Sequence, residues 1–127
     1  GMKELAIKPT SSLDAPAIVS QAVSRAANQL EISGPALSKI LGLSQSSISR
    51  LHSGTYLLKE DHKEWELALL LIRLYRSLLA ITATHTLAKT WLSSPNLSLP
   101  RPPRELITDT EGLVNVVNYL DASRGQI

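Results

Sequence analysis

The sequence predicts an all-α protein in which a helix-turn-helix bundle is joined through a long apolar helix to a small helical C-terminal module. Apolar residues fill most of the circumference of the stretch 65–81, which predicts a largely buried helix. On both sides of this stretch, apolar residues recur at the three- and four-residue spacing of amphipathic helices. Valine, isoleucine and threonine never alternate over a long run, so no strand is predicted.

These patterns divide the chain into four parts. Residues 1–12 form a polar, flexible lead, and residues 13–60 hold the helix-turn-helix. Residues 61–83 form the long apolar helix, and residues 84–127 form the C-terminal module. With 127 residues, the chain has the length of one domain, or of two very small modules that share a core.

The composition narrows the classes of function. The sequence contains no cysteine, which excludes disulfide frameworks and thiolate metal sites and suits a reducing, cytoplasmic compartment. The net charge of +2 is too small to indicate nucleic-acid binding by itself. However, residues 1–59 hold six basic and three acidic side chains, whereas residues 60–127 hold seven basic and eight acidic ones. A polyanionic partner therefore belongs to the first half of the chain.

The first helix is predicted from Ala15 to about Glu31. Asp14 is suited to cap its N-terminus, and Pro16 is tolerated in its first turn. Its inner face consists of apolar residues at helical spacing, namely Ile18, Val19, Ala22, Val23, Ala26, Ala27 and Leu30.

The segment 32–54 carries the sharpest local signal, a helix-turn-helix. Ser33 is suited to cap a short helix, Gly42 to supply a left-handed turn, and Ser44 to cap a second helix from Gln45 to about His52. The buried side of the two helices consists of Leu37, Ile40, Leu41, Leu43, Ile48 and Leu51. Two short helices joined by a turn that contains glycine form this motif.

The second helix of the motif turns a small, polar face outward, which suits entry into a DNA major groove. This face consists of Gln45, Ser46, Ser49, Arg50 and Ser53. Arg50 is suited to bidentate pairing with guanine, and Gln45 to pairing with adenine. We expect phosphate contacts from Lys39, Thr55, Tyr56 and Lys59. The alternative is a solvated serine-rich face, because helix-turn-helix geometry also occurs in proteins that do not bind DNA.

The long apolar helix is predicted to be a hub around which the rest of the chain packs. A membrane span needs about 20 apolar residues with few charges. Glu66, Arg73 and Arg76 interrupt the stretch and argue against a span. We therefore expect a hub that is buried within one chain or at the interface of a homodimer, without membrane association.

The C-terminal module is predicted to contain three short helices. The first runs from about His85 to Leu92 and buries Leu87, Ala88 and Trp91. A turn at Pro95-Asn96 and a stiff connection over 100–103 follow, and Pro103 opens a single turn that reaches Ile107.

The last helix of the module is predicted to end at about Ala122. Thr108 and Glu111 are spaced as a capping box at its start. Its buried stripe consists of Leu113, Val116, Val117 and Leu120. This unit has too little core to stand alone, so it must pack on the hub helix or on a partner.

A search for catalytic motifs yields little. The sequence has no nucleophile elbow, phosphate-binding loop or metalloprotease helix. His62 and Glu66 lie one helical turn apart, but no third metal ligand is placed beside them. We therefore expect no enzymatic activity, no cofactor and no metal.

A resemblance to known proteins adds to this interpretation. The segment ALSKILGLSQSSISRLHSG resembles the helix-turn-helix of Xre-type repressors. It is followed by KEDHKEWELALLLIRLYRSLLAI, TWLSSPNLSL, PRELI and TDTEGLVNVVNYLD. In this order, over about residues 14–124, the segments resemble the Xre/MbcA/ParS antitoxins, whose C-terminal module binds a RES-domain toxin.

Two positions depart from the family pattern. Where many members carry a glycine pair after the W-L-x-x-P-N segment, this chain has Leu99-Pro100-Arg101-Pro102-Pro103, which alters the loop expected to face the toxin. Gly34 stands where many repressors have a glutamine that contacts phosphate, which removes one expected DNA contact.

The resemblance implies a homodimeric antitoxin of a type II toxin–antitoxin system. Such a protein binds its own operator DNA and neutralises a RES-domain toxin, which degrades nicotinamide adenine dinucleotide (NAD). The C-terminal segment then lies near the active site of the toxin. Under this resemblance, the candidate toxin contacts are Trp91, Asn96, Arg104, Tyr119, Leu120, Arg124, Gln126 and Ile127.

Two other functions fit the sequence. One is a stand-alone repressor whose C-terminal module only mediates dimerisation. The other is a protein-interaction adaptor with an inert helix-turn-helix. Loss of toxin neutralisation on removal of the C-terminal module distinguishes the antitoxin from the stand-alone repressor, and sensitivity to Arg50→Ala distinguishes both from the adaptor.

Overall fold

A computed structural model describes residues 14–125 of the chain. Within this range, the protein is all-helical, as predicted, and contains seven helices. The predictions for the lead at 1–12 and for Gln126 and Ile127 lie outside the described residues.

Three helices form the N-terminal part of the structure: α1 at Ala15–Gln29, α2 at Gly34–Leu41 and α3 at Gln45–Ser53. Their starts are those predicted, because short polar side chains satisfy the free N–H groups of each first turn. Asp14, Ser33 and Ser44 accept hydrogen bonds from backbone N–H groups three residues later, at 3.3, 3.1 and 3.1 Å. Gly42 ends α2 in the left-handed conformation, with φ of 71°, as predicted.

The inner face of α1 differs from the prediction at one position. Its buried stripe includes Ser20, Val23, Ser24 and Ala27, which follow each other at helical spacing. Ile18 lies on the opposite side of the helix and is 47% exposed, so its assignment to the core is wrong. Two of the buried positions are occupied by serines, and a search for apolar residues at helical spacing does not identify such positions.

The hub is helix α4, Lys63–Thr82, and it contacts α1, α2, α5 and α7. Leu67, Leu71, Leu74 and Leu78 lie on its buried face, so the hub is buried within a single chain on that side. The prediction of an apolar surface nearly all round the helix overstated its burial. The opposite face is open to solvent and consists of Glu66, Leu69, Arg73, Arg76 and Ala80.

The C-terminal part contains α5 at His85–Ser93, α6 at Pro103–Leu106 and α7 at Thr110–Gly125. Helix α7 packs along α4, and α6 bridges α5 and α7. The predicted stripe of α7 is confirmed, because Leu113, Val116, Val117 and Leu120 are all buried. The inward face of α5 is formed by Ala88 and Leu92, whereas Leu87 is 54% exposed, contrary to the prediction.

The start of α7 also differs from the predicted capping box. Asp109, not Thr108, caps the helix, because its Oδ1 atom accepts a hydrogen bond from the Gly112 N–H at 2.8 Å. The Thr108 hydroxyl instead donates to the carbonyl oxygen of Glu105 at 2.9 Å. Asp109 lies one position after Thr108, and aspartate is as good an N-cap residue as threonine, so the sequence alone did not distinguish the two.

Gly112 allows α7 to approach α6 closely. A Cβ atom at this position would lie 1.9 Å from the carbonyl oxygen of Leu106, which is too close for any side chain to fit. The close approach brings the first turn of α7 against the end of α6 and shapes the surface between them.

Among the described residues, no single helix is long and apolar enough to cross a membrane. Helices α4 and α5 together satisfy the length and composition required, but they meet at an angle of 110°.

Candidate binding surfaces

The outer face of α3 is the first candidate surface. All the side chains predicted for it are exposed: Gln45, Ser46, Ser49, Arg50 and Ser53. The predicted phosphate contacts Lys39, Thr55 and Lys59 are exposed as well, whereas Tyr56, predicted with them, is half-buried and donates its hydroxyl to Glu64. Ile48 and Leu51 anchor the opposite side of α3 in the core, so the polar side chains of this helix lie on its solvent side.

The guanidinium group of Arg50 is held in place along the face of α3. Its Nη1 donates to Ser46 Oγ at 2.7 Å, and its Nη2 donates to Ser47 Oγ at 3.2 Å. Ser47 was not among the predicted site residues, because it lies beside the outer face and its role depends on the rotamer of the arginine. Two of the five N–H donors are engaged, and the others remain available to an acceptor.

Helix α3 is also fixed at its C-terminal end. Gly54 terminates it with φ of 84°. His52 Nδ1 lies 2.6 Å from the hydroxyl oxygen of Ser24, a buried residue of α1. These contacts set the orientation of α3 relative to α1, so the exposed face has a defined direction.

The second candidate surface lies on the C-terminal part and contains an aromatic pair. The rings of Trp91 and Tyr119 stack with centroids 6.3 Å apart and planes inclined by 18°. Asn96 Nδ2 donates a hydrogen bond to the Tyr119 hydroxyl oxygen at 3.3 Å, and this bond is the main reason that the pKa of Tyr119 is lowered. Three side chains predicted as toxin contacts from three separate segments therefore form one cluster.

A groove of about 460 Å³ adjoins this cluster, between the proline-rich connection and α7. Its lining residues are Ser98, Leu99, Pro100, Leu106, Gly112, Asn115, Asn118 and Tyr119. The lining is mostly apolar and includes the amide side chains of Asn115 and Asn118 on α7. This combination suits a peptide segment with one or two apolar side chains. The proline-rich departure from the family pattern thus forms one wall of this groove.

The other predicted toxin contacts within the described residues are more engaged in the fold. Leu120 is 1% exposed and packs in the core, so its side chain is not available to a partner, and that prediction is corrected. Arg124 is exposed and donates to Ser77 Oγ at 3.1 Å. The guanidinium of Arg104 is directed inward, where it donates to carbonyl oxygens of residues 30, 31 and 89 and to Ser93 Oγ.

Two exposed leucines were not predicted as site residues. Leu97 is fully exposed next to Asn96, and Leu87 lies one helical turn before Trp91 on α5. Large apolar side chains left in solvent near an aromatic cluster are typical of protein interfaces. The turn signal Pro95-Asn96 identified a loop at this place but gave no indication of which side chains it exposes.

Within residues 14–125, no group of three or more histidine or acidic side chains is close enough to hold a metal ion.

Two family models match the chain. The model of the antitoxin Xre-like helix-turn-helix domain matches residues 11–73, and the model of the antitoxin Xre/MbcA/ParS C-terminal toxin-binding domain matches residues 77–125. No curated protein matches the chain. The first match contains the Arg50 face, and the second contains the aromatic cluster and the groove. The chain therefore belongs to the Xre/MbcA/ParS-type antitoxins, with a DNA-binding helix-turn-helix domain and a toxin-binding domain in one polypeptide.

Proposed function

We propose that this antitoxin neutralises a RES-domain toxin by direct binding and represses its own operon through the helix-turn-helix. It acts in the cytoplasm, by binding and without catalysis. The observation that carries the toxin half is the half-buried cluster of Trp91, Asn96 and Tyr119 beside the fully exposed Leu97, because it lies within the domain whose family binds toxins. The observation that supports the repressor half is the exposed Arg50 face of α3.

Operator recognition is proposed to follow from the geometry of α3. Its N-terminal residue, Gln45, lies at the end of the helix that approaches base edges in helix-turn-helix complexes. Arg50 has the donor pattern that pairs with guanine in the major groove. Lys39 precedes α3 in the chain, and Thr55 and Lys59 follow it; all three are exposed. They are proposed to bind phosphates, which fixes the register on DNA without reading sequence.

Toxin binding is proposed to centre on the Trp91–Tyr119 stack and to extend over Leu97 into the adjoining groove. Stacked aromatic side chains supply a large contact area at little cost in conformational entropy, which is why they dominate many protein interfaces. Arg124, at the end of α7, is proposed to lie at the rim of the contact. By family resemblance the partner degrades NAD, and the antitoxin would obstruct access to its active site.

The active form is proposed to be a homodimer. Helix-turn-helix proteins commonly bind two half-sites about one turn of DNA apart, which requires two copies of the recognition helix. Leu69, 43% exposed on the open face of α4, is a side chain that a second copy would cover. Light scattering of the isolated protein measures the number of chains in the particle.

A co-expression assay with a RES-domain toxin tests the toxin half. Helix α7 packs along α4, so removing the C-terminal module would expose the core, and point substitutions are the sharper tool. Leu97→Asp changes a side chain that contributes nothing to the core, and Leu57→Asp, at a leucine 48% exposed outside the toxin-binding domain, is the matched control. We expect Leu97→Asp to lose co-purification and rescue of growth, while Leu57→Asp retains both. Neutralisation that is unchanged by Leu97→Asp and by Asn96→Ala would contradict the proposed surface.

A further inference from the structure

The connection between α3 and α4, residues 54–62, is held rigidly although it forms no helix. Leu58 in its centre is buried, with 1% of its surface exposed. The Leu58 N–H donates to the hydroxyl oxygen of Ser20 at 2.9 Å, and Ser20 is itself buried in α1. Connections between helices usually lie on the surface and are mobile, whereas this one is held by a buried hydrogen bond. A functional role for the fixed conformation would explain this difference.

Glu64 supplies the second fixed point. Its side chain is only 7% exposed, at the start of α4. Its Oε2 atom accepts two hydrogen bonds from the connection, one from the Tyr56 hydroxyl at 2.7 Å and one from the Lys59 N–H at 3.0 Å. Burial, and next the bond to Glu64, raises the pKa of Tyr56 to about 12, so the phenol stays a donor throughout the physiological range. A carboxylate this buried is costly unless such bonds are made.

The segment fixed in this way carries two exposed side chains that follow α3 in the chain. Thr55 lies just beyond the end of α3, and its hydroxyl oxygen is 3.0 Å from that of Ser53. Lys59 is exposed, while its own backbone N–H is the group that Glu64 holds. The position of the Lys59 side chain relative to α3 therefore depends directly on the Glu64 carboxylate.

We propose that Glu64 is a positioning residue for DNA binding: it holds the connection 54–62 so that Thr55 and Lys59 meet the phosphate backbone when α3 is in the groove. The inference rests on the proposed DNA-binding function. According to this proposal, the buried carboxylate of Glu64 strengthens the binding of DNA, although both are negatively charged. A negative charge in a DNA-binding module otherwise weakens the complex by repulsion, so the sign of the effect is diagnostic.

The test compares two glutamates of the same helix. Glu64→Ala removes the charge and both hydrogen bonds, whereas Glu66→Ala removes the same charge from a side chain that is 71% exposed. Glu64→Gln keeps an acceptor for both donors. Each variant is titrated by fluorescence anisotropy with duplex DNA from the promoter of its own gene and with an unrelated duplex, at several salt concentrations.

We expect Glu64→Ala to weaken binding to both duplexes by about tenfold and to lower the salt slope by about one for each lost phosphate contact. Glu66→Ala should leave binding unchanged or tighten it, and Glu64→Gln should restore most of the lost affinity. If Glu64→Ala does not fold, Tyr56→Phe takes its place, because it removes one of the two bonds and should shift affinity and slope in the same direction.

Equal affinity and salt slope of Glu64→Ala and Glu66→Ala would overturn the inference. Failure of the proposed operator recognition has a different signature, namely equal affinity of the unaltered protein for the two duplexes. The salt slopes test Glu64 in that case too, because phosphate contacts are independent of sequence. A protein that binds neither duplex would overturn both proposals.

Discussion

The guanidinium group of Arg104 in α6 donates a hydrogen bond to the carbonyl oxygen of Leu30, the C-cap residue of α1, with an Nη2–O distance of 2.9 Å. Its Nη1 donates to the carbonyl oxygen of Glu31 at 3.1 Å. The last carbonyl groups of a helix have no partner within it, and an arginine fork is well suited to satisfy them. Lys89 forms an ion pair with Glu31 beside this contact, at 3.0 Å. The toxin-binding domain is thus tied to the end of the first helix of the DNA-binding domain.

Loss of this tie should lower the stability of the whole chain. We predict that Arg104→Ala lowers the free energy of unfolding by about 2–3 kcal/mol, because four hydrogen bonds from one charged group, two of them part-buried, are lost together. Urea unfolding followed by the fluorescence of Trp65 and Trp91 measures the change. Arg101→Ala is the control. The contact of Arg101 with Glu105 is exposed and 3.9 Å long, so this substitution should cost less than about 0.5 kcal/mol. Similar losses in both variants would contradict the assignment.

The contact between α6 and α7 should tolerate no side chain at position 112. Gly112→Ala places a methyl group 1.9 Å from the Leu106 carbonyl oxygen, so α7 must move, at a cost of about 1–3 kcal/mol or more. Gly34→Ala meets no atom within 4 Å and should be neutral or slightly stabilising, since alanine favours the helix. Thermal unfolding of the two variants checks the difference, and a Gly112→Ala protein that is as stable as Gly34→Ala would rule out the close approach.

The three tyrosines should ionise in a fixed order as pH rises. Tyr119 titrates first because the Asn96 hydrogen bond lowers its pKa, and Tyr75 follows with a pKa raised by burial. Tyr56 ionises last, with a pKa raised to about 12 by burial and by the bond to Glu64. A tyrosine whose pKa is raised on folding contributes stability below its ordinary pKa of about 10, and this contribution is lost as pH rises through the folded value.

Phenolate absorbance against pH measures this order. Tyr119→Phe should remove the earliest phase and Tyr56→Phe the latest. An earliest phase that survives Tyr119→Phe would refute the assigned order.

Ser46 should affect discrimination between DNA sequences indirectly, by holding the guanidinium group of Arg50. Ser46→Ala removes the shorter of the two hydrogen bonds that hold the Arg50 guanidinium and changes no proposed phosphate contact. We therefore predict that the ratio of affinities for promoter and unrelated DNA falls by about threefold, with an unchanged salt slope. In the background of Arg50→Ala, the same substitution should have no further effect. A loss of equal size in both backgrounds would show that the serine acts independently of the arginine.

The elements that the sequence predicted well are those fixed by local chemistry. Ser33 and Ser44 cap their helices, and Gly42 adopts the left-handed conformation, because each interaction is completed within a few residues. The outer face of α3 follows from the same helical periodicity that buries Ile48 and Leu51. The family resemblance, carried by short motifs in a fixed order, identified both domains from the amino-acid sequence alone.

The features that the sequence did not predict depend on partners distant in the chain. Arg104 and Leu30 are 74 residues apart, so no local pattern indicates that the arginine faces inward. The burial of Glu64 depends on a connection without periodicity, and an acid at the start of a helix is equally well explained by the helix dipole. Leu87 fits the apolar pattern of α5 and yet is 54% exposed, and the turn at Pro95-Asn96 gave no indication that Leu97 is fully exposed.

Operator DNA and a toxin are proposed to bind two separate surfaces of the same chain. Size-exclusion chromatography with light scattering of the protein mixed with a RES-domain toxin and promoter duplex tests this separation. We predict a single complex that contains all three components. Arg50→Ala should lose the duplex and keep the toxin, whereas Leu97→Asp should lose the toxin and keep the duplex. If either substitution releases both ligands, or if neither releases any, the two binding surfaces are not those proposed.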